Sequence, residues 1–98
     1  MPMNTLESLR QRRAEIERLA RRHGAHDVRI FGSVARGEDT ELSDIDVLVE
    51  MSDEASLLDL VLLQQALETA LNRRADVLSL SGINPYLRDR ILAEAVRL

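Results

Sequence analysis

The chain has 98 residues, so we expect residues 1–98 to form a single domain with one modest core and no second domain for a further substrate. It contains no cysteine, which excludes a disulfide framework and a zinc–thiolate site. All 13 basic residues are arginines, so a Walker-type phosphate lysine and Schiff-base chemistry are excluded as well.

Charge and hydropathy bear on partners and location. The formal net charge of −4 argues against direct binding of nucleic acid, because a polyanion normally requires a basic surface. The N-terminal segment MPMNTLESLRQRRAE has no apolar signal-type stretch, and no later run approaches membrane-spanning length. We therefore expect a cytoplasmic protein that has no membrane partner.

A helix from Thr5 to about His23 is the first predicted element. Asn4 followed three residues later by Glu7 is typical of a capping box, and Gly24 suits the position just after the helix. Apolar residues keep helical spacing in between: Leu6, Leu9, Ile16, Leu19 and Ala20. We interpret the many arginines as a solvated face, with docking of an acidic partner or a nucleotide as the alternative.

A short β-branched and aromatic run, Val28 to Phe31, predicts the first strand, and we interpret His23 and His26 before it as helix-end and loop residues rather than metal ligands. The strand ends at Gly32–Ser33, where the glycine lets the backbone turn sharply. If Ser33 opens a short helix, its hydroxyl and the first amides point at one spot that suits a phosphate. Arg36 would add a positive charge there, with a fork geometry that matches phosphate oxygens.

The polar segment 37–43 predicts a loop, and the apolar run from Ile45 to Val49 predicts a second strand. Asp44 and Asp46 are two residues apart, so their side chains project to the same side of that strand. Two carboxylates held so close repel each other unless a cation lies between them. A hard ion such as Mg²⁺, which takes one or two carboxylates and completes its shell with phosphate oxygens and water, fits this need.

Ser56 with Asp59 three residues later predicts a helix that runs to about Asn72. We expect one leucine stripe to face the sheet: Leu57, Leu60, Leu63, Leu67 and Leu71. Three further apolar residues lie to the side: Leu58, Val61 and Leu62. Either the helix is wedged between the sheet and the C-terminal helix, or these extra residues form an interface with a partner.

The segment from Ala75 to Leu80 predicts a third strand that opens with Asp76. An acid there lies beside the two earlier aspartates and can join their site, whereas the alternative is an ion pair with Arg73 or Arg74. Glu50 shares the strand parity of the earlier aspartates but lies at the far end of its strand, so we rank it below Asp76.

Asn84 and Pro85 predict the start of a last helix. Its apolar face would comprise Tyr86, Leu87, Ile91, Leu92, Ala95 and Val96. The element order predicts an α/β (α+β) fold, in which helices pack on one face of a small mixed β-sheet. The other face, partly open, would carry the three aspartates.

The motif residues resemble a known signature. Gly32–Ser33, ten intervening residues and Asp44–Ile45–Asp46 match the G-S-x10-D-x-D pattern of the minimal nucleotidyltransferases, which belong to the DNA polymerase beta-like superfamily. Arg36–Gly37 and Ser43 also stand where that family commonly has them. The resemblance covers essentially the whole chain and implies a nucleotidyltransferase-like fold.

The resemblance also implies an activity, which is the transfer of AMP from ATP to a hydroxyl group with two Mg²⁺ ions. It assigns nucleotide binding to residues of the turn and the loop: Gly32, Ser33, Arg36 and Ser43. It assigns metal binding and catalysis to the three acids on the strands: Asp44, Asp46 and Asp76.

The acceptor is absent from this short chain, so we expect a partner protein to supply it. In the resembled family the usual partner is a HEPN-domain ribonuclease toxin, and the nucleotidyltransferase acts as antitoxin by adenylylating a tyrosine on it. The alternatives are an antitoxin that masks the toxin without catalysis and a small nucleotide-binding regulatory domain. The sequence leaves open the nucleotide base, the acceptor, and whether the chain is a monomer or a homo-oligomer.

Overall fold

The computed structural model describes residues 3–98. Its helices are α1 (Thr5–Gln11), α2 (Arg13–Arg22), α3 (Gly32–Arg36), α4 (Leu57–Leu71) and α5 (Pro85–Glu94). Its strands are β1 (Ala25–Phe31), β2 (Ile45–Met51), β3 (Ala75–Ser79) and β4 (Val96–Arg97), and a 3₁₀ turn spans Leu80–Gly82. The expected mixed α/β fold is confirmed.

The strands form one mixed sheet in the order β3-β2-β1-β4. β1 runs antiparallel to both β2 and β4, whereas β2 and β3 are parallel and are joined through α4. In this register Asp46 pairs with Phe31 on one side and with Asp76 on the other. The sheet therefore places the acids of β2 and β3 next to each other, as the strand pattern predicted.

One face of the sheet carries the hydrophobic core. Alternate residues of β1 and β2 pack there against α1, α2, α3 and α4, and the fully buried members include Ile30, Val47, Val49, Leu63 and Leu67. Phe31 and Leu48 are buried outside this cluster, so the second face of the sheet is partly covered. No described helix is long and apolar enough to cross a membrane.

The single helix predicted from Thr5 to about His23 is wrong, because the chain forms two helices that meet at Arg12. Arg12 leaves helical geometry (φ −105°, ψ 18°), and its guanidinium donates to Glu15 and, at 2.8 Å, to the Ala70 carbonyl of α4. The break thus lets Arg12 tie the N-terminal helices to α4. The predicted cap at Asn4 is confirmed, since its side chain accepts from the Glu7 N–H at 2.8 Å.

The helix predicted after the second strand is confirmed, including a capping box between Ser56 and Asp59. One member of its predicted core stripe is wrong, because Leu57 in the first turn is 76% exposed. The three residues predicted to lie to the side are also exposed: Leu58, Val61 and Leu62. The alternative in which α4 is wedged against the C-terminal helix is therefore wrong.

The C-terminal region differs from the prediction in two ways. α5 begins at Pro85 with Asn84 as its cap, as expected, but Tyr86 is 91% exposed and no residue of α5 is buried. Ala95 ends the helix, and Val96 lies in β4, where it pairs with Ile30 of β1. The four apolar positions before Ala95 favoured a longer helix, whereas pairing with the free edge of β1 decides the conformation of Val96.

Candidate active site

Gly32 sits at the sharp turn between β1 and α3. Its φ of +72° lies in the left-handed region that favours glycine. A Cβ at this position would overlap the carboxylate of Asp46. Gly32 is therefore favoured by its backbone conformation and by the close approach of Asp46, whose carboxylate lies directly against the turn.

Ser33 follows on the short helix α3, whose Val34 side chain is buried in the core. The helix ends at Gly37, which has a φ of +72°, and Glu38 N donates to the Ser33 carbonyl at 2.8 Å. The predicted strand–turn–helix arrangement is present, and it leaves Ser33 partly exposed beside the turn. The role of Ser33 in phosphate binding stays a prediction.

The three aspartates come together through the sheet. Asp44 directly precedes β2, Asp46 is the second residue of β2, and Asp76 is the second residue of β3, directly paired with Asp46. Asp44 and Asp46 are partly exposed and Asp76 is exposed. All three carboxylates can therefore be reached from solvent at this end of the sheet.

The ion pairs considered for Asp76 are not formed among the described residues. Arg74 instead places its Nε 3.7 Å from Asp44 Oδ1. Arg73 is turned toward the loop, where it lies 3.5 Å from Asp39 and donates to the Ser43 carbonyl at 2.8 Å. Asp76 therefore lies beside Asp46 and, among the described residues, does not form the ion pair with Arg73 or Arg74 that was the alternative to a role in the site.

Burial raises the pKa of Asp46, and the nearby negative charges of Asp76, Asp44 and Glu94 raise it further. Arg36 is the positive group that opposes them. Beyond burial, three carboxylates act on Asp46 and one guanidinium opposes them. A bound cation would relieve this repulsion.

The donor set fits a hard metal ion, because it consists of carboxylate oxygens with room for phosphate and water. The three aspartates are not drawn into a tight cluster. Within residues 3–98, the group that places one ligand atom each within 4.8 Å of one another is His26, Asp27 and Glu50, at the other end of the sheet.

That second cluster is formed by a β-bulge between His26 and Arg29, where Asp27 has a φ of +52°. His26 Nδ1 lies 3.1 Å from Asp27 Oδ2, and Arg97 donates to Asp27 Oδ1 at 3.3 Å. Hydrogen bonding with Glu50 lowers the pKa of Asp27, and His26 and Arg97 lower it further. The cluster is thus a hydrogen-bonded network in which Arg97 supplies a positive charge. The prediction that His26 lies in a loop is wrong, because it belongs to β1.

A cavity of about 380 Å³ opens beside this second cluster, and its lining includes His26, Asp27 and Arg97 but none of the three aspartates. Asp44, Asp46 and Asp76 are each at least partly exposed to solvent. An open site suits a reaction in which a second macromolecule brings the acceptor group.

Arg36 ends α3 next to the aspartate site and is held by two carboxylates. Its Nε donates to Glu38 Oε1 at 2.6 Å, and its Nη1 donates to Glu94 Oε1. Glu94 is a site residue that the sequence reasoning missed. The only signal for it was an acid in the last turn of a helix, where acids are unfavourable.

Ser43 shapes the loop that leads to Asp44. Its hydroxyl accepts from the Thr40 N–H at 2.9 Å, and its carbonyl accepts from Arg73 at 2.8 Å. These contacts give Ser43 a structural role in the loop, and its assignment to nucleotide binding stays a prediction.

Comparison with known proteins places this geometry in a family. The protein-family model described as a nucleotidyltransferase domain matches residues 12–98 of this chain. A Methanocaldococcus jannaschii protein named as a protein adenylyltransferase is 53% identical over 75 residues, which cover 76% of this chain and 81% of that protein. The protein adenylyltransferase MntA of Thermococcus cleftensis is 35% identical over 97 residues, which cover 98% of each chain.

Comparison with solved structures supports the same family. A structure described as a minimal nucleotidyltransferase superposes with a TM-score of 0.85 at 49% identity and covers 95% of each chain. Two more distant structures share the fold: a toxin–antitoxin complex with AMP-PNP (TM-score 0.75, 24% identity, 86% of this chain and 69% of that one) and a tri-AMPylated Shewanella oneidensis HEPN toxin in complex with its MNT antitoxin (TM-score 0.69, 21% identity, 90% and 69%). From the matched domain, the close relatives and the shared fold, we conclude that the chain belongs to the nucleotidyltransferase-domain family and is a nucleotidyltransferase.

Proposed function

We propose that the chain transfers AMP from ATP to a tyrosine hydroxyl of a HEPN-domain toxin and thereby acts as its antitoxin. The observation that carries this proposal is the position of Asp46, which lies against the Gly32 turn on one side and pairs with Asp76 on the other. This arrangement joins a candidate phosphate turn to a candidate metal site. The names of the close relatives and the toxin complexes of the distant neighbours support the choice of reaction and partner.

The residues of the candidate site fall into a phosphate-binding group and a metal-binding group. The turn at Gly32 and Ser33, with Arg36 beside it, binds the triphosphate through N–H, hydroxyl and guanidinium donors. Asp44, Asp46 and Asp76 would hold the magnesium ions, because carboxylate oxygens are the donors that a hard cation prefers. Bound Mg²⁺, as two ions, supplies charge neutralisation for the triphosphate and the leaving pyrophosphate.

The transfer itself breaks one bond and forms one. The acceptor oxygen attacks the α-phosphorus of ATP, the bond from that phosphorus to the bridging oxygen breaks, and pyrophosphate leaves. The hydroxyl proton goes to a carboxylate oxygen of Asp76, which is exposed on the side open to a partner. Most of the catalysis then comes from positioning and from charge stabilisation.

A partner-binding surface is needed because the acceptor comes from another protein. The first two turns of α4 expose four apolar residues to solvent, between 40% and 76% of each: Leu57, Leu58, Val61 and Leu62. This apolar patch supports the second candidate function as well, in which the chain masks the toxin through binding alone.

Intact mass spectrometry of the partner separates the two candidates. With ATP and Mg²⁺, we expect the HEPN toxin to gain one or more AMP units from the native chain and none from the Asp44→Asn/Asp46→Asn variant, which should still bind it. The matched control is Asp27→Asn at the other end of the sheet, which should transfer AMP normally. If the double variant silences the toxin at one-to-one stoichiometry and no mass is ever added, masking is the function.

A further inference from the structure

Glu94, the last residue of α5, contacts the residue that we assign to the triphosphate. Its Oε1 accepts from Arg36 Nη1, while Glu38 Oε1 accepts from Arg36 Nε at 2.6 Å. Within residues 3–98, Arg36 Nη2 makes no hydrogen bond. The guanidinium is therefore fixed through two nitrogens, and the third is left for another acceptor.

The backbone that follows Glu94 is held by hydrogen bonds of β4 and of the end of α5. Two residues further on, Val96 pairs with Ile30 in antiparallel register. Ile30 is itself two residues before Gly32, so the β1–β4 pairing lies close in sequence to both Glu94 and the Gly32 turn. The N–H of Ala95 is also bonded into the last turn of α5. Glu94 is thus tied on both sides, which suits a fixed support better than a mobile competitor for Arg36.

Glu94 also stands where a helix disfavours an acid. The last turn of α5 contains no basic residue, so the carboxylate faces the negative end of the helix dipole uncompensated by its own helix. Its side chain is 28% exposed, against 50% for Arg36. Glu94 is an acid at a position that the helix dipole disfavours, and it contacts Arg36. This combination indicates that the acid is retained for its contact with Arg36.

We propose that Glu94 is a positioning residue, which orients Arg36 so that Nη2 donates to a phosphate oxygen of the bound nucleotide. The inference rests on the proposed function. A guanidinium that is already fixed loses less conformational freedom when it binds, so the nucleotide binds more tightly. Glu94 acts through Arg36 and does not touch the nucleotide itself.

Calorimetric titration with ATP and Mg²⁺ tests this inference in five proteins: the native chain, Glu94→Ala, Glu94→Gln, Arg36→Ala and the double alanine variant. We expect Glu94→Ala to weaken ATP binding roughly three- to tenfold and Glu94→Gln, which keeps the accepting oxygen, to restore it to within about twofold. In the Arg36→Ala background, the Glu94→Ala change should cost no further affinity. Thermal unfolding of each variant shows whether the fold is intact.

Four outcomes would overturn the inference, the function on which it rests, or both. Equal or tighter ATP binding by Glu94→Ala shows that Glu94 does not support Arg36, and additive losses in the double variant show that the two residues act separately. If the native chain binds ATP with this coupling but never transfers AMP to a partner, the proposed function fails and the positioning role stands. If the native chain binds no ATP, both fail.

Discussion

The two ends of the β1–β2 pair each carry acidic side chains, but the aspartate pKa is shifted in opposite directions at the two ends. At one end, Asp46 lies beside Asp76 and its pKa is raised by burial and by negative neighbours. At the other end, hydrogen bonding with Glu50, and then with His26 and Arg97, lowers the pKa of Asp27. The same strands therefore carry a hydrogen-bonded acid network at one end and a candidate cation site at the other.

The difference teaches how to distinguish a structural acid from a functional one. Proximity of carboxylates does not do so, because the structural cluster around Asp27 is the tighter of the two. The sign of the pKa shift and the availability of a fixed cationic partner separate them. An acid that stays near others without sufficient compensation costs stability, and a function is the usual reason to retain it.

Asp46→Asn should produce the largest effect, because it removes the central negative charge at the aspartate end of the sheet. We expect AMP transfer to fall at least about 100-fold, because a charge that holds the metal and phosphates is lost. Without divalent metal, the variant should be as stable as the native chain or more stable at pH 7, by less than about 1 kcal/mol after solvent screening. Activity and thermal unfolding in chelator measure both.

The pH dependence follows from the two signs. The pKa of Asp46 is raised above its ordinary 3.8, so its contribution to stability is full below that value and is lost as pH rises through the raised pKa. The pKa of Asp27 is lowered from 3.8, so its contribution is present above that value and is lost as pH falls. Asp46→Asn should thus gain stability relative to the native chain as pH rises, and Asp27→Asn should lose it. The same trend in both variants would contradict the comparison.

Gly32→Ala tests whether the turn and Asp46 form one site. The added Cβ meets the Asp46 carboxylate and also takes an unfavourable positive φ, so we expect a loss of about 3 kcal/mol or more in the free energy of unfolding. Gly37→Ala is the matched control, because Gly37 has the same φ of +72° with no atom within 4 Å of the added Cβ. It should cost only about 1–2 kcal/mol. Equal losses in denaturant unfolding would show that Asp46 does not constrain Gly32.

Ser33→Ala should have a smaller effect, confined to the nucleotide. Because we assign its hydroxyl to phosphate and not to the metal, ATP affinity should fall by about 1 kcal/mol while Mg²⁺ affinity is unchanged. Separate calorimetric titrations with Mg²⁺ and with ATP in excess Mg²⁺ distinguish the two. Unchanged ATP affinity would remove Ser33 from the site, and a loss of Mg²⁺ affinity would move it to the metal.

Much of this fold and site could be predicted from local patterns. Asn4, Ser56 and Asn84 cap helices where the sequence indicated, and the position of Asp76 at the start of the third strand predicted that it lies beside Asp46. Each of these features depends on residues within a few positions or on one strand pairing. Local spacing is therefore sufficient to find them.

The features that sequence reasoning missed depend on contacts between distant segments. Asp27 meets His26 and Glu50 because a bulge interrupts the strand, which no alternation pattern shows. Val96 leaves the expected helix because β1 has a free edge, and this brings Glu94 to Arg36. These positions are set by the assembled sheet and not by the propensity of their own segments.

The smallest expected effect on stability concerns the apolar patch on α4, which is the candidate surface for binding a partner. Leu58 and Leu62 are exposed, so changing both to alanine should alter the free energy of unfolding by less than about 1 kcal/mol, whereas Leu63→Ala, buried in the core, should cost about 2–5 kcal/mol.

If the toxin binds this patch, the Leu58→Ala/Leu62→Ala variant should lose at least about tenfold in affinity for it, since central apolar contacts dominate such interfaces. ATP affinity should not change, because the patch begins after the end of β2 that is remote from the aspartates. AMP transfer should then recover when the toxin concentration is raised above the weakened dissociation constant. Native affinity for the toxin in this variant would show that the partner approaches the open aspartate face without using α4.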